Sequence, residues 1–423
     1  MRSTIKKLSK NEFIQGGLLL TVSYNIVNVL NYLFNVFAAR ALGPQGLGEL
    51  TAFMSYIVIV SAPSLVISTI IIQKIGAAKN KETYAVALQR WFDQKMIRWL
   101  PIVGLCVLLS PLVPRVTNLS FYTGLLVIPM ILLTLYGSFP DAIIQGLRLF
   151  VVLSVISTIA IILKVSGAAI SLWIGGGLQI ILLFLVLCTL FKIIANIHYI
   201  YRIKTRINEA ALPIDKRLIE ILKKREFLFT AATIIAVTLY NNIDVVYAKK
   251  FLSAHDAGIY SSWSLLAKII FYLAGPLFSI SLIFFSSKDQ EKKHITTFAA
   301  TMILIILLGV ASFIGYTFLG SIIVPLFFGS RFNEVIPILS KASIFGSLYL
   351  AVTFINQYFL ARKILYALII ALVIPVYVVL LIVLLPTLSG LIDLNNTVLF
   401  FTVALYILAA LKEQYFDKKP MTF

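Results

Sequence analysis

From Ile295 to Gly320 the chain reads ITTFAATMILIILLGVASFIGYTFLG, a run without one charged side chain. A bilayer's hydrocarbon core is about 30 Å thick, and about 20 apolar helical residues cross it. Lipid offers no hydrogen-bond partners, so the crossing segment must satisfy its own backbone, as a helix does. Extending the same template outward gives twelve predicted spans, at 13–39, 50–72, 99–114, 121–144, 149–166, 168–194, 227–248, 258–286, 295–320, 335–360, 364–386 and 394–411. Pro101, Pro111, Pro114, Pro129 and Pro140 blur the ends of the third and fourth. The fifth and sixth run together, and the turn between them is expected at Val165-Ser166-Gly167. The predicted class is an all-α integral membrane protein. Composition agrees, with 60% hydrophobic residues and a mean hydropathy of +0.98, against about 45–50% apolar residues in soluble domains.

The chain nonetheless carries a net charge of +19. Its Lys and Arg lie mostly in short stretches between the apolar runs, not together on a folded polar domain, so nucleic acid is not an expected partner. An even number of spans puts both termini on one side. With that side inside, 28 of the 36 Lys and Arg fall on inner segments and 5 on outer ones. The asymmetry predicts cytoplasmic termini and a multi-pass protein of the inner or plasma membrane. The same basic segments suit acidic lipid headgroups, so membrane lipids are expected partners. The first apolar run exceeds a signal-peptide core and is read as a retained span.

The longest polar stretch, Lys192 to Glu226, follows the sixth span. It divides the chain into a predicted N-terminal six-helix lobe at 1–200, a cytoplasmic linker at 201–226 and a C-terminal six-helix lobe at 227–423. A weak repeat relates the halves: Asn31, Ala38, Arg40, Leu42 and Gly48 match Asn241, Ala248, Lys250, Leu252 and Gly258 at a constant offset of 210. Repeated halves recur in transporter design.

Polar groups inside a span are costly, which makes their placement informative. In the first span Tyr24, Asn28, Asn31 and Asn35 share one helical face. The seventh carries Thr233, Tyr240, Asn241, Asp244 and Tyr247, and the eighth Ser261, Ser264, Lys268 and Tyr272. Interhelical hydrogen bonding accounts for any single Asn or Ser. Stripes on corresponding spans of both halves fit a water-filled substrate pathway better, so Asn28, Asn31, Asn35, Tyr240, Asn241, Asp244, Ser264, Lys268 and Tyr272 are its candidate lining. Lys268 and Asp244 either pair with each other or face that pathway. Asp244 is the first candidate for ion coupling and Asp141, nearer a helix end, the second. Lys341 and Lys164 are expected to reach an interface by snorkelling, Lys164 from beside the turn.

No catalytic role is assigned. The chain has no G-x-x-x-x-G-K-[ST] phosphate loop and no H-E-x-x-H, and His198, His255 and His294 are scattered without metal-ligand spacing. No cofactor is expected beyond a coupling proton or sodium ion. Gly175-Gly176-Gly177 lies in an apolar run, where close helix packing is its expected purpose.

The segment AARALGPQGLGEL, Ala38 to Leu50, resembles the signature of the Wzx-type oligosaccharide flippases, polysaccharide transporters of the multidrug/oligosaccharidyl-lipid/polysaccharide exporter superfamily. VPLFFGSRF (Val324 to Phe332), IIQGLRLF (Ile143 to Phe150) and AKKFLSAHDAGIYS (Ala248 to Ser261) are similar to further segments of that family. The resemblance implies two six-helix lobes forming a V, and alternating access that carries an undecaprenyl-diphosphate-linked oligosaccharide to the outer leaflet. It implies work alongside a polysaccharide polymerase and other assembly proteins, as in O-antigen synthesis, by a chain functional as a monomer. It also implies a cavity lined by basic residues, a role Lys268 fits by position. Asp244 departs from a purely cationic cavity. A drug/cation antiporter of the same superfamily would favour such an acid, and a membrane polysaccharide polymerase or ligase would need a larger outer loop than any here.

Overall fold

The first two predicted spans form one long helix, α1 (Glu12–Ala77), broken only where Gly43 leaves helical geometry at φ 66° and ψ −174°. That left-handed φ is open to glycine at little cost, and Pro44 then restarts the helix with its missing N–H at an end where none is needed. The ten-residue outer loop implied by the span limits is therefore a kink. A computed structural model of the chain describes residues 12–205, 225–274, 285, 294–362, 364–384 and 387–415, without the side chains of 12–24, 225–226, 272–273, 294–295 and 414–415.

The remaining helices follow in order. They are α2 (Lys81–Leu108), α3 (Val113–Thr117), α4 (Phe121–Gly146), α5 (Phe150–Ile174) and α6 (Gly177–Lys204), then α7 (Arg225–Tyr240), α8 (Ile243–Phe251), α9 (Ala254–Leu273), α10 (His294–Phe327), α11 (Leu339–Ala361), α12 (Ile369–Val383) and α13 (Leu388–Tyr415). Among the described residues ten helical stretches are long and apolar enough to cross a membrane, one of them spanning the Gly43 kink. Each of the twelve predicted spans overlaps a helix; in the eighth, 275–284 and 286 lie outside the described residues.

Two expectations are corrected. The turn between the fifth and sixth spans lies at Gly175-Gly176-Gly177, not at Val165-Ser166-Gly167. Gly175 (φ 69°) ends α5 in the left-handed conformation and Gly177 (φ 61°) opens α6 in the same region. The glycines serve the turn and not close packing, because two positive φ angles within three residues favour side chains without a Cβ. Close packing falls instead to Gly167, where an added Cβ would lie 2.3 Å from Phe184 Cβ. Lys164 consequently sits well inside α5 rather than beside a turn. The second correction is that the seventh span is interrupted, as α7 and α8.

The chain divides into two compact units, one formed by 1–41 and 60–218, the other by 42–59 and 219–423. The segment 42–59, which the division of the sequence at 201–226 leaves in the first lobe, thus groups with the second. Most of that linker, 206–224, lies outside the described residues. In the first unit, Ile71, Ile75, Leu88, Phe139, Ile143, Leu153 and Ile200 form a closed apolar core. In the second, α11 is central: it buries residues around its whole circumference, among them Phe345, Tyr349, Leu350, Val352, Phe354 and Ile355, whereas much of α10 is exposed. Trp263, Phe345 and Phe332 are wholly buried, and the Trp263 indole N–H donates to Ile338 O (3.1 Å).

Within the second unit the two copies of the repeat meet at equivalent positions. A Cβ added to Gly48 would lie 2.8 Å from Gly258 N, and one added to Gly258 would lie 1.9 Å from Pro44 O. Beside them Thr51 Oγ1 donates to Ser261 Oγ at 2.7 Å across the same offset of 210. Glu49 and Lys249 form an ion pair at 3.3 Å, 13% and 8% exposed. Gly258→Ala should destabilise the folded protein by about 1–3 kcal/mol, since backbone must move to admit the methyl group. Gly315→Ala, within a helix and with open space at its Cβ, is the control and should leave the thermal midpoint of the detergent-solubilised protein the same or slightly raised. Equal midpoints for both variants would overturn the close-approach account.

Candidate functional site

The interruption of the seventh span at Asn241-Asn242 organises a buried polar cluster in the second unit. Asparagine competes for backbone hydrogen bonds, which makes an Asn-Asn pair a ready point of helix termination. Asn242 Nδ2 donates to Thr238 O (2.9 Å), taking up one carbonyl freed at the end of α7, and the backbone at Asn242 turns to φ −132° before α8 begins. Lys268 Nζ donates to a second, Asn241 O (2.7 Å). The ammonium therefore faces the negative end of the α7 dipole, while Asp244 lies in the first turn of α8, at the positive end of its dipole. Each charge is set where backbone polarity favours it by about 0.3–1 kcal/mol.

Lys268 and Asp244 form no ion pair among the described residues. Asp244 is 1% exposed, and its Oδ2 accepts from Tyr260 OH (2.6 Å). Tyr260 in turn accepts from Asn395 Nδ2 (2.5 Å), whose Oδ1 takes the hydroxyl of Tyr377. Tyr240 packs its ring on Tyr377 (4.9 Å between centroids) and points its hydroxyl at Asn395 O (3.4 Å). The result is a relay from α12 through α13 and α9 to the carboxylate on α8.

Tyr260, Ser264 and Lys268 follow one another at four-residue intervals on α9 and share a face. Three oxygens of this cluster, Asp244 Oδ1, Asn241 Oδ1 and Ser264 Oγ, are buried without a hydrogen-bond partner. Unmet polar atoms of this kind are uncommon in a buried site. No group of three or more His, Cys, Asp or Glu able to hold a metal occurs among the described residues.

The first unit holds a second deep charge. Lys164 Nζ donates to Asn31 Oδ1 (3.0 Å) and lies 4.2 Å from the centroid of the Phe34 ring. Asn31 Nδ2 is tied to Val27 O (3.1 Å) on its own helix, which turns the amide oxygen toward the lysine. Of the other first-span residues, Asn28 is exposed and Asn35 half-buried. The side chains of Tyr24 and Tyr272 lie outside the described residues. Asp141 is wholly engaged: Lys192 pairs with its Oδ2, and Asn196 Nδ2 donates to its Oδ1 (2.7 Å). Lys341 pairs with Asp393 at 2.6 Å, both half-exposed.

The structure thus gathers Tyr240, Asn241, Asp244, Ser264 and Lys268 into one cluster and places Asn31 with Lys164 in another. Sequence reading missed Tyr260, Tyr377 and Asn395. Tyrosine is common in apolar spans, and Asn395 fell at the edge of the twelfth predicted span; the neighbouring pair Asn395-Asn396 was the available signal.

A family profile described as polysaccharide biosynthesis protein matches residues 13–283, more than half of the chain. Among solved structures, the chain is similar to a multidrug resistance MATE family transporter of the MOP superfamily in an inward-facing conformation, at 12% identity and a TM-score of 0.67, covering 92% of this chain and 96% of that one. It is also similar to a MATE protein in the bent conformation, at 12% identity and a TM-score of 0.60, covering 96% and 98%. A eukaryotic MATE transporter matches at 12% identity and a TM-score of 0.55, covering 93% and 96%. No curated protein sequence matches the chain. At such identities the likeness extends to the fold, whereas the profile reaches the family. The chain is a multi-pass membrane protein with the helical fold of the MATE transporters, and it belongs to the polysaccharide biosynthesis protein family.

Proposed function

We propose that this protein is a membrane transporter that moves an undecaprenyl-diphosphate-linked oligosaccharide from the cytoplasmic to the outer leaflet by alternating access. The observation that carries the reading is the interrupted seventh span, with Lys268 on its freed carbonyl, in a member of a polysaccharide biosynthesis family. Discontinuous helices with charged residues at their broken ends are how membrane transporters present backbone polarity to ions and anionic substrates. A diphosphate cannot enter hydrocarbon unaided, and a deep lysine supplies part of a polar route. The protein would act in the inner membrane with both termini cytoplasmic, as a monomer, beside a polysaccharide polymerase and other assembly proteins.

Outward movement of negative charge is favoured by an inside-negative potential, by about 2.3 kcal/mol per charge for each 100 mV. We assign any further coupling, to protons or to sodium, to Asp244 rather than to Asp141, because Asp244 keeps a free oxygen and Asp141 does not. In proteoliposomes, Asp244→Asn should abolish the dependence of transport on an imposed proton or sodium gradient while membrane insertion is retained. Asp141→Asn should preserve that dependence. Unchanged gradient dependence in Asp244→Asn would remove the coupling role.

The buried carboxylate favours one other reading, a drug or cation antiporter, since Asp244 keeps an oxygen without a hydrogen-bond partner. Deletion of the gene separates the two. Loss of surface glycan, restored by the wild-type gene and not by Lys268→Glu, is expected for the flippase. Intact glycan with increased sensitivity to cationic drugs would establish the antiporter.

A further inference from the structure

α2 changes character along its length. Its first turns bury Ala85, Val86, Leu88 and Gln89 in the first unit, whereas from Ile97 onward the helix lies open, with Ile97 68%, Leu100 65% and Leu108 77% exposed. In a chain that crosses a bilayer, lipid chains cover apolar surface of this kind. The change falls at Lys95, Arg98 and Trp99. At spacings of three and four residues they share one face of the helix, and all three are exposed.

Packing inside the first unit sets the height of that face. Phe92 stacks on Phe139 of α4, with 3.7 Å between ring centroids. Phe139 stands two residues before Asp141, whose ion pair with Lys192 lies toward the end of α4 at Gly146. The charge asymmetry of the sequence assigns that end to the cytoplasmic side. Lys95 and Arg98 therefore mark the point where α2 passes from polar surroundings into hydrocarbon.

The neighbouring acids are turned elsewhere. Asp93, two residues from Lys95, points to the other side of the helix, where its Oδ1 accepts from Gln89 Nε2 (2.9 Å) and from Tyr136 OH (3.1 Å). The sequence has no further acid before Asp141, which Lys192 and Asn196 already hold. Among the described residues no carboxylate pairs with Lys95 or Arg98.

We propose that Lys95, Arg98 and Trp99 form a docking site for the headgroup of an anionic phospholipid in the inner leaflet. Charge complementarity at a fixed height carries the argument. A lipid whose chains cover Ile97 and Leu100 brings its headgroup to the level of the two cations. The Arg98 guanidinium suits two phosphate oxygens at once, and Lys95 adds a point charge. Trp99 sits at the headgroup level that indole rings favour. A zwitterionic lipid carries its own cation, which competes with both side chains for the phosphate. The site is independent of what the protein transports.

The test is native mass spectrometry of the purified full-length protein in detergent, with phosphatidylglycerol as probe and phosphatidylcholine as the zwitterionic control. Wild type should bind phosphatidylglycerol at least about tenfold more tightly than phosphatidylcholine. Lys95→Gln/Arg98→Gln should remove that preference. Lys95→Arg/Arg98→Lys, which keeps both charges, should stay within about threefold of wild type. Lys79→Gln/Arg202→Gln removes two other exposed cations of the same unit and should weaken binding by less than about twofold.

Equal loss in the two glutamine pairs overturns the site in favour of diffuse attraction by the whole basic surface. Displacement of the lipid by a tenfold excess of inorganic phosphate overturns it in favour of a free anion. Absence of any preference for phosphatidylglycerol in wild type overturns it and leaves the two cations to a protein partner. A wild type that binds phosphatidylglycerol at this site but flips no lipid-linked oligosaccharide loses the flippase reading and keeps the lipid site.

Discussion

Inside a bilayer every backbone N–H and C=O must find a partner within the protein, and this requirement governs the whole molecule. It makes the described residues helical nearly throughout, and it makes each departure from helix conspicuous. At Gly43 the departure is a single left-handed residue followed by proline. At Asn241-Asn242 it falls within a predicted span, and side chains must do what helix geometry no longer does. Asn242 and Lys268 take up the freed carbonyls, Lys268 is drawn to that point by the dipole of α7, and Asp244 is tolerated one turn away by the dipole of α8. The polar cluster is thus a consequence of the break and not an independent insertion of charges into lipid.

The repeat relating the halves has a physical meaning in the second unit. Gly48 and Gly258 lack side chains because the backbones of 42–59 and of α9 approach too closely for any, and Thr51 and Ser261 bond beside them. Equivalent positions of the repeat thus meet directly at Gly48 and Gly258 and at Thr51 and Ser261. The Glu49–Lys249 pair closes the same junction. Its burial makes it specific in geometry more than stabilising, since desolvation offsets much of the attraction between buried charges.

The two deep lysines are not alike. Lys268 lies against backbone, with an acid and three tyrosines nearby, an environment that suits a structural or ion-coupling part. Lys164 lies in the first unit between an amide and an aromatic ring, with no carboxylate paired to it among the described residues.

Much of this was legible in order of residues. Uncharged runs of bilayer length specify helices because lipid permits little else, so the all-helical class and the approximate spans follow from hydropathy, as does the polar face at Asn31 and the unusual depth of Asp244 and Lys268. Hydropathy averages over many residues and so could not resolve breaks of one or two, which is why the turn was expected at Val165–Gly167 and the seventh span seemed continuous. Only tertiary structure decided which polar groups meet. Tyr260, Tyr377 and Asn395 join Asp244 from three different helices, 42–59 groups with the second unit, and Lys164 finds Asn31 across 133 residues. Hydrogen bonds act over about 3 Å, and periodicity along one helix says which face a residue occupies but not what stands opposite it.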